Sequence, residues 1–137
     1  MDYNETIKFL YNQLPVYQNS GNKALNLGLD KIQKLLIELN NPEKFLKIVH
    51  IGGTNGKGSS AHSIAAICQY NNLKTGLYTS PHLFDFRERI RVNGKKVEKS
   101  FITEFINKKL EKIKKISPSF FEITFAMSLS YFKKKKS

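Results

Sequence analysis

The sequence has little of several residue types on which some protein classes depend. Its 137 residues include one cysteine, no tryptophan and four prolines. A single cysteine, Cys68, cannot form an internal disulfide, which excludes a disulfide-stabilised secreted domain and favours a reducing compartment. No apolar run is long enough to cross a bilayer, and residues 1–14 mix charged with apolar side chains, unlike a signal peptide. We therefore expect one globular, cytoplasmic domain that makes no membrane contact.

Acidic residues are also scarce. The chain has 11 Asp and Glu against 23 Lys and Arg, which gives a net charge of +12. Such an excess favours an anionic partner. However, Arg87, Arg89 and Arg91 are the only arginines, and proteins that recognise base edges depend on the two-pronged Arg side chain. Lys, Asn, Ile and Phe, all abundant here, have A- and T-rich codons, so coding bias accounts for part of the charge. A small basic nucleic-acid-binding protein is therefore a disfavoured alternative.

The hydrophobic pattern predicts an α/β chain. Apolar spacing of three to four residues predicts helices at residues 2–14, 28–40, 59–70, 100–115 and 119–132. Two short apolar runs, residues 45–51 and 74–79, are typical of buried strands. With the helix between them they predict a βαβ unit with parallel pairing. Asn93-Gly94 predicts a tight hairpin turn. We therefore expect a P-loop-type parallel sheet with flanking helices.

The strongest chemical signal is the run Gly-Thr-Asn-Gly-Lys-Gly-Ser at residues 53–59, between a predicted strand and a helix. Glycines let backbone N–H groups converge, and a helix N-terminus favours an anion. Lys57 adds a positive charge for phosphate oxygens, and Ser59 or Ser60 supplies a hydroxyl near a metal. Glycine-rich turns also occur without ligands, but the lysine and hydroxyls in this context favour phosphate binding. Gly58 after Lys57, and Ile51 where the strict motif has glycine, disfavour an ordinary P-loop NTPase.

This variant loop resembles that of the Mur ligase superfamily, and specifically of the folylpolyglutamate synthase / dihydrofolate synthase family. Three further stretches are similar to that family. They are Leu-Gly-Leu-Asp-Lys-Ile at residues 27–32, the Ser-Pro-His-Leu and Glu-Arg-Ile-Arg-Val-Asn-Gly motifs within residues 80–94, and Phe121-Glu122 with the apolar helix that follows. Their order and spacing match, and together they cover almost the whole chain.

The resemblance implies an ATP-dependent ligase of folate biosynthesis. In that family ATP phosphorylates a carboxylate of dihydropteroate or folate, and the amine of L-glutamate attacks the acyl phosphate to give an amide, ADP and phosphate. The cofactors implied are ATP and Mg²⁺, and we expect a monomer. The chemistry requires neutralised phosphate charge and close placement of the two reactants.

The resemblance also implies roles for individual residues. The phosphate-binding residues are Thr54, Asn55, Gly56, Lys57, Gly58 and Ser59, with Lys57 as the catalytic residue. Ser80 is the implied magnesium ligand. The substrate-binding residues are Ser119, Phe120, Phe121 and Glu122, with Leu25, Asn26 and Leu27 as weaker candidates.

Local reasoning gives plainer roles to some of the same positions. Ser119 and Glu122 have the spacing of a capping box, which is compatible with ligand binding because a capped helix start is rigid. A lone histidine in a loop is usually structural, and we expect this of His82. The charged residues that follow are expected to form a solvated hairpin, and arginines near a folate carboxylate are the open alternative: Arg87, Glu88, Arg89 and Arg91.

The family pattern continues past the last predicted helix. It adds a strand with an acidic stretch that supplies another magnesium ligand, a later histidine, a modified lysine and a C-terminal domain. Residues 1–137 contain none of these, so we expect the N-terminal part of the ATP-binding ligase domain, as a truncated form with a marginal fold and unpaired sheet edges. An inactive fragment with residual phosphate binding is the main alternative. Whether dihydropteroate, folate or both are substrates stays open.

Overall fold

The computed structural model describes residues 1–14, 28–52, 57–82 and 84–136. Within these ranges the chain forms five α-helices, three short strands and two 3-10 helices. The α-helices are α1 Tyr3–Tyr11, α2 Asp30–Glu38, α3 Lys57–Tyr70, α4 Lys99–Ile116 and α5 Phe120–Lys136. The strands are β1 Gly76–Tyr78, β2 Ile90–Val92 and β3 Lys95–Lys96, and the 3-10 helices are Pro42–Phe45 and Phe86–Arg89. The predicted helices are confirmed, with ends that differ by up to four residues.

The sheet is antiparallel, with the strand order β1-β2-β3. Gly76 lies opposite Val92, and Tyr78 lies opposite Ile90. Asn93 and Gly94 connect β2 to β3 with φ angles of 49° and 80°. Positive φ at both central residues is the requirement of a type I′ turn, whose twist matches that of the strands. The hairpin predicted from Asn93-Gly94 is therefore confirmed.

The parallel sheet expected from the sequence is not observed. Phe45 ends a 3-10 helix, and residues 46–52 have no regular secondary structure. Ile48 and Val49 are 54% and 75% exposed. A buried parallel strand needs hydrogen-bonded neighbours and cover on both faces. Within the described residues the 46–52 segment has neither, since it joins no ladder and β1 is paired with β2 alone.

Helix α5 is the centre of the core. It packs against α1, α2, α4, the first 3-10 helix and strands β1 and β2. Its buried side chains include Ile123, Met127, Leu129 and Tyr131, each at most 3% exposed. The sequence predicted burial on most sides from the nearly continuous apolar character of this segment, and the structure confirms it. No helix in the described part of the chain is both long and apolar enough to cross a membrane.

The run of lysines at residues 133–136 belongs to α5, which extends four residues beyond its predicted end. The Lys133 ammonium lies 4.2 Å from the centre of the Phe45 ring, and the Lys135 ammonium lies 3.1 Å from a Glu98 oxygen. Positive charge in the last turn also complements the negative end of the helix dipole. The run is therefore part of the folded structure.

Candidate phosphate and substrate site

Helix α3 begins within the predicted phosphate loop. Lys57 is its first residue, and Gly58 and Ser59 follow in an exposed first turn that contains no acidic residue. The N–H groups of a first turn have no partner within the helix, and they lie at the positive end of the helix dipole. A Cβ added to Gly58 would meet no atom of the described residues within 4 Å. Such a helix start can accept an anion.

The rest of the predicted loop is not described. Thr54, Asn55 and Gly56 lie outside the described residues, as does the side chain of Lys57. The structure therefore places the helix that follows the loop, and the phosphate contacts remain predictions.

Ser80, the predicted magnesium ligand, lies two residues beyond β1, the strand against which α3 packs. The N–H of Thr79 donates to the carbonyl of Arg89 at 3.0 Å, which fixes the chain immediately before Ser80. Ser80 is exposed and is followed by a cis peptide bond to Pro81. Among the described residues there is no cluster of three His, Cys, Asp or Glu. Mg²⁺ needs few protein oxygens when phosphates and waters complete its shell, so exposed hydroxyls fit this ion.

The start of α5 is built as the sequence predicted. The N–H of Ser119 donates to Glu122 Oε1 at 2.9 Å, and the N–H of Glu122 donates to Ser119 Oγ at 3.1 Å. This reciprocal cap is confirmed and makes the first turn rigid. Phe120 is 1% exposed, whereas Phe121 is 47% exposed. Of the four predicted substrate residues, Phe121 therefore has an aromatic ring that is partly exposed to solvent. Their contact with a substrate stays a prediction, and Leu25, Asn26 and Leu27 lie outside the described residues.

Aromatic rings surround the buried Phe120 side chain. Tyr11 stacks on it with 5.6 Å between ring centres and 15° between ring planes. Phe86 and Phe121 meet it edge to face at 6.0 Å and 5.4 Å. The N–H of Phe120 also donates to the carbonyl of Gln13 at 3.2 Å. These contacts join the end of α1 to the start of α5.

Arg89 corrects the expectation of a fully solvated hairpin. Its side chain is only 6% exposed, and its guanidinium carbon lies 5.0 Å from the centre of the Phe120 ring. Its Nε–H donates to His82 Nδ1 at 2.8 Å. The expectation of a solvated charged hairpin placed Arg89 in solvent, but a long side chain can fold back over aromatic rings. Sequence periodicity contains no signal for such a contact.

His82 has the structural role that was expected, together with a defined polarity. Its Nδ1 accepts from Arg89, so its proton is on Nε2, which lies 2.9 Å from the Tyr11 hydroxyl oxygen. Burial and then the Arg89 charge lower the pKa of His82 below its usual value. Burial raises the pKa of Tyr11. Both side chains are therefore neutral near pH 7.

A separate open groove of about 700 Å³ lies between α1 and residues 84–86. Tyr3, Tyr11 and Phe86 are among its lining residues. Ser80 and the first turn of α3 do not line it. The groove therefore adjoins the aromatic residues around Phe120, and the proposed phosphate site lies elsewhere.

Comparison with known proteins finds similar sequences and structures. No protein-family model matches the chain. The chain is 36% identical over 137 residues to a probable bifunctional folylpolyglutamate synthase/dihydropteroate synthase of Haloferax volcanii, covering 96% of the chain and 16% of that protein. Its sequence is 38% identical to that of folylpolyglutamate synthase from Thermotoga maritima. The crystal structure of that protein aligns with a TM-score of 0.79, over 98% of the chain and 31% of that structure. The chain is therefore similar, over nearly its whole length, to the N-terminal portion of the folylpolyglutamate synthase / dihydrofolate synthase family.

The structural match within this family covers nearly the whole chain. The folylpolyglutamate synthetase from Lactobacillus casei aligns with a TM-score of 0.85 at 29% identity, over 99% of the chain and 34% of that structure. The chain thus spans about a third or less of the length of these relatives. Solved family structures that also match include one complex with AMPPCP and one with AMPPCP and folate.

Proposed function

We propose that this chain provides the nucleotide-binding and substrate-facing part of an ATP-dependent ligase that adds L-glutamate to dihydropteroate, folate or both through an acyl phosphate. The observation that carries the proposal is the start of α3 at Lys57, with Gly58 and Ser59 exposed in its first turn, in a chain similar to folylpolyglutamate synthases over 98–99% of its length. In domain terms, residues 1–137 are the N-terminal part of the ATP-binding ligase domain.

The nucleotide role follows from charge and geometry. Residues 54–59 hold the ATP phosphates, with backbone N–H groups at the α3 start and the Lys57 ammonium opposite the negative oxygens. Ser80, exposed beyond β1, contributes an oxygen ligand to Mg²⁺. A bound ion would supply neutralisation of phosphate charge at this place.

The substrate role is assigned to the start of α5. The cap formed by Ser119 and Glu122 holds the first turn in place, and Phe121 presents its ring to solvent. A flat heterocyclic substrate can pack on such a ring. The fixed helix start therefore orients the substrate relative to the phosphate loop.

We also infer that residues 45–51 and β1 become parallel strands when the remainder of the relatives' length is present. The exposed apolar side chains of Ile48 and Val49 supply the surface that such pairing covers.

Transfer of labelled L-glutamate to dihydropteroate or folate, with and without ATP, tests the activity. ATP-dependent transfer with ADP release supports the ligase. Binding of the magnesium complex of AMPPCP without transfer supports the alternative of an inactive fragment with residual phosphate binding. If the chain shows neither nucleotide binding nor glutamate transfer but binds nucleic acid tightly and in a salt-dependent way, both proposals are contradicted. That result supports the disfavoured alternative of a basic nucleic-acid-binding protein.

A further inference from the structure

Four side chains from separate segments contact one another in a ring, and we name them the Arg89 cluster: Arg89, His82, Tyr11 and Phe120. The Arg89 Nε–H donates to His82 at 2.8 Å, and the His82 imidazole lies 2.9 Å from the Tyr11 hydroxyl. Tyr11 stacks on Phe120, and the Arg89 guanidinium packs on the same Phe120 ring. Each member therefore contacts the next, and the last contacts the first.

The hydrogen bonds of the Arg89 cluster have one direction. A guanidinium N–H can only donate, so His82 Nδ1 must present a lone pair and Nε2 must carry the proton. The Tyr11 oxygen accepts that proton in a hydrogen bond, which leaves the Tyr11 O–H free to donate elsewhere. Arg89 thus selects one histidine tautomer, because the other would place two N–H groups face to face.

Arg89 is a costly residue for a purely structural purpose. Its side chain is 6% exposed, and no ion pair joins it to a carboxylate in the described part of the chain. Its Nη1 is buried without a hydrogen-bond partner among the described residues. Charges taken out of water without a counter-ion destabilise a fold, and an apolar side chain of similar volume often serves packing equally well. A guanidinium, in contrast, can fix His82.

The Arg89 cluster is connected to the exposed ring assigned to the substrate. Phe120 packs edge to face against Phe121 at 5.4 Å, and Phe121 is 47% exposed. The orientation of the Phe120 ring therefore limits the orientations open to Phe121.

We propose that Arg89 is a positioning residue that holds His82 in a single tautomer and the Phe120 ring in a single orientation, and so shapes the substrate surface at the start of α5. The substrate part of this inference rests on the proposed function, whereas the fixing of His82 does not.

The test combines a spectroscopic and a binding readout on the full chain. Imidazole ¹⁵N NMR resolves the protonation of each ring nitrogen, and the chain has only three histidines to assign. We expect His82 to show an unprotonated Nδ1 and a protonated Nε2 in the unmodified chain. The same pattern is expected in Tyr11→Phe, because Arg89 sets the tautomer. In Arg89→Met the ¹⁵N chemical shifts of the two His82 nitrogens are expected to average between the protonated and unprotonated values, because both tautomers are then populated.

Binding of pteroate gives the second readout. We expect Arg89→Met to weaken it about tenfold, a change of roughly 1.4 kcal/mol. The matched control is Arg91→Met, because Arg91 lies in the same hairpin and donates to the Glu88 carbonyl at 3.2 Å. This control is expected to keep both the His82 pattern and pteroate affinity.

Far-UV circular dichroism establishes that each variant is folded. If Arg89→Met does not fold, Arg89→Lys replaces it, since a lysine can donate to His82 but cannot lie flat on Phe120. It should keep the tautomer and weaken pteroate binding, and unchanged binding would overturn the inference. Identical imidazole spectra in the folded unmodified and Arg89→Met chains would also overturn it. If the unmodified chain binds no pteroate, the proposed function fails, and the imidazole spectra alone decide whether Arg89 fixes His82.

Discussion

Glu98 is an exposed residue whose carboxylate joins the start of α4 to the last turns of α5. It accepts from the Tyr131 hydroxyl at 2.7 Å and from the Lys135 ammonium at 3.1 Å. The Tyr131 hydrogen bond is the main cause that lowers the pKa of Glu98 to about 2. The same bond, after burial, contributes to a raised pKa of Tyr131. At the residue scale, a helix-initiating acid therefore connects the buried core to the lysine-rich end of α5.

This depressed pKa predicts a pH dependence of stability. Between pH 4.5 and about 2 the unfolded chain binds a proton at Glu98 that the folded chain does not, so the free energy of unfolding falls as the pH is lowered through this window. Glu98→Gln should flatten the dependence of melting temperature on pH in this range. Glu104→Gln, an exposed position on α4, is the control and should retain it. An unchanged pH profile in Glu98→Gln would contradict the assignment.

Alanine substitutions at two glycines are predicted to change the free energy of unfolding in opposite directions. A Cβ on Gly76 would lie 2.6 Å from the Phe132 ring, whereas a Cβ on Gly58 would meet nothing within 4 Å among the residues that the structure describes. Gly76→Ala should therefore lower the free energy of unfolding by about 1–3 kcal/mol, because the ring must move. Gly58→Ala should be neutral or stabilising, by up to about 1 kcal/mol, since alanine favours a helix. Urea unfolding of both variants gives the comparison, and equal effects would show that the contact with Phe132 is unimportant.

At the scale of elements, agreement between sequence and structure follows the range of the interactions involved. The Asn93-Gly94 turn and the cap between Ser119 and Glu122 depend on neighbouring residues, so sequence alone predicted them. The strand at residues 45–51 depends on partners distant in sequence, and its apolar, β-branched character could not supply them. The contact of Arg89 with Phe120 is likewise tertiary, and the charged character of the hairpin led us to expect a solvated side chain instead.

The missing strand has a measurable consequence. Residues 46–52 form no β-ladder, while α5 is hydrogen-bonded and buried along most of its length. Amide hydrogen exchange in residues 46–52 should therefore be fast, and exchange in the α5 segment of residues 123–131 should be the slowest in the chain. Strong protection of residues 46–52 would show that this segment is paired in solution and that the observed fold understates the sheet.

On the scale of the whole molecule, the chain combines one well-packed region with an exposed one. The core around α5 unites α1, α2, α4 and the hairpin. Helix α3, in contrast, packs on β1 and leaves Ile64 and Ile67, one turn apart, 42% and 61% exposed. The helix to which we assign the phosphate site is therefore the least covered of the described helices, in a chain that spans about a third of the Thermotoga maritima and Lactobacillus casei relatives. Whether the start of α3 binds a nucleotide is therefore the property that decides the proposed function.

The most direct test of the account is calorimetric titration of the full chain with the magnesium complex of AMPPCP. We expect saturable binding at one site, weakened at least about tenfold by Lys57→Ala because a phosphate loses its charged partner. Lys47→Ala, which removes an exposed lysine elsewhere, should bind as the unmodified chain does. Absence of saturable binding, or equal affinity in Lys57→Ala, would contradict the claim that residues 54–59 and the start of α3 form a nucleotide site.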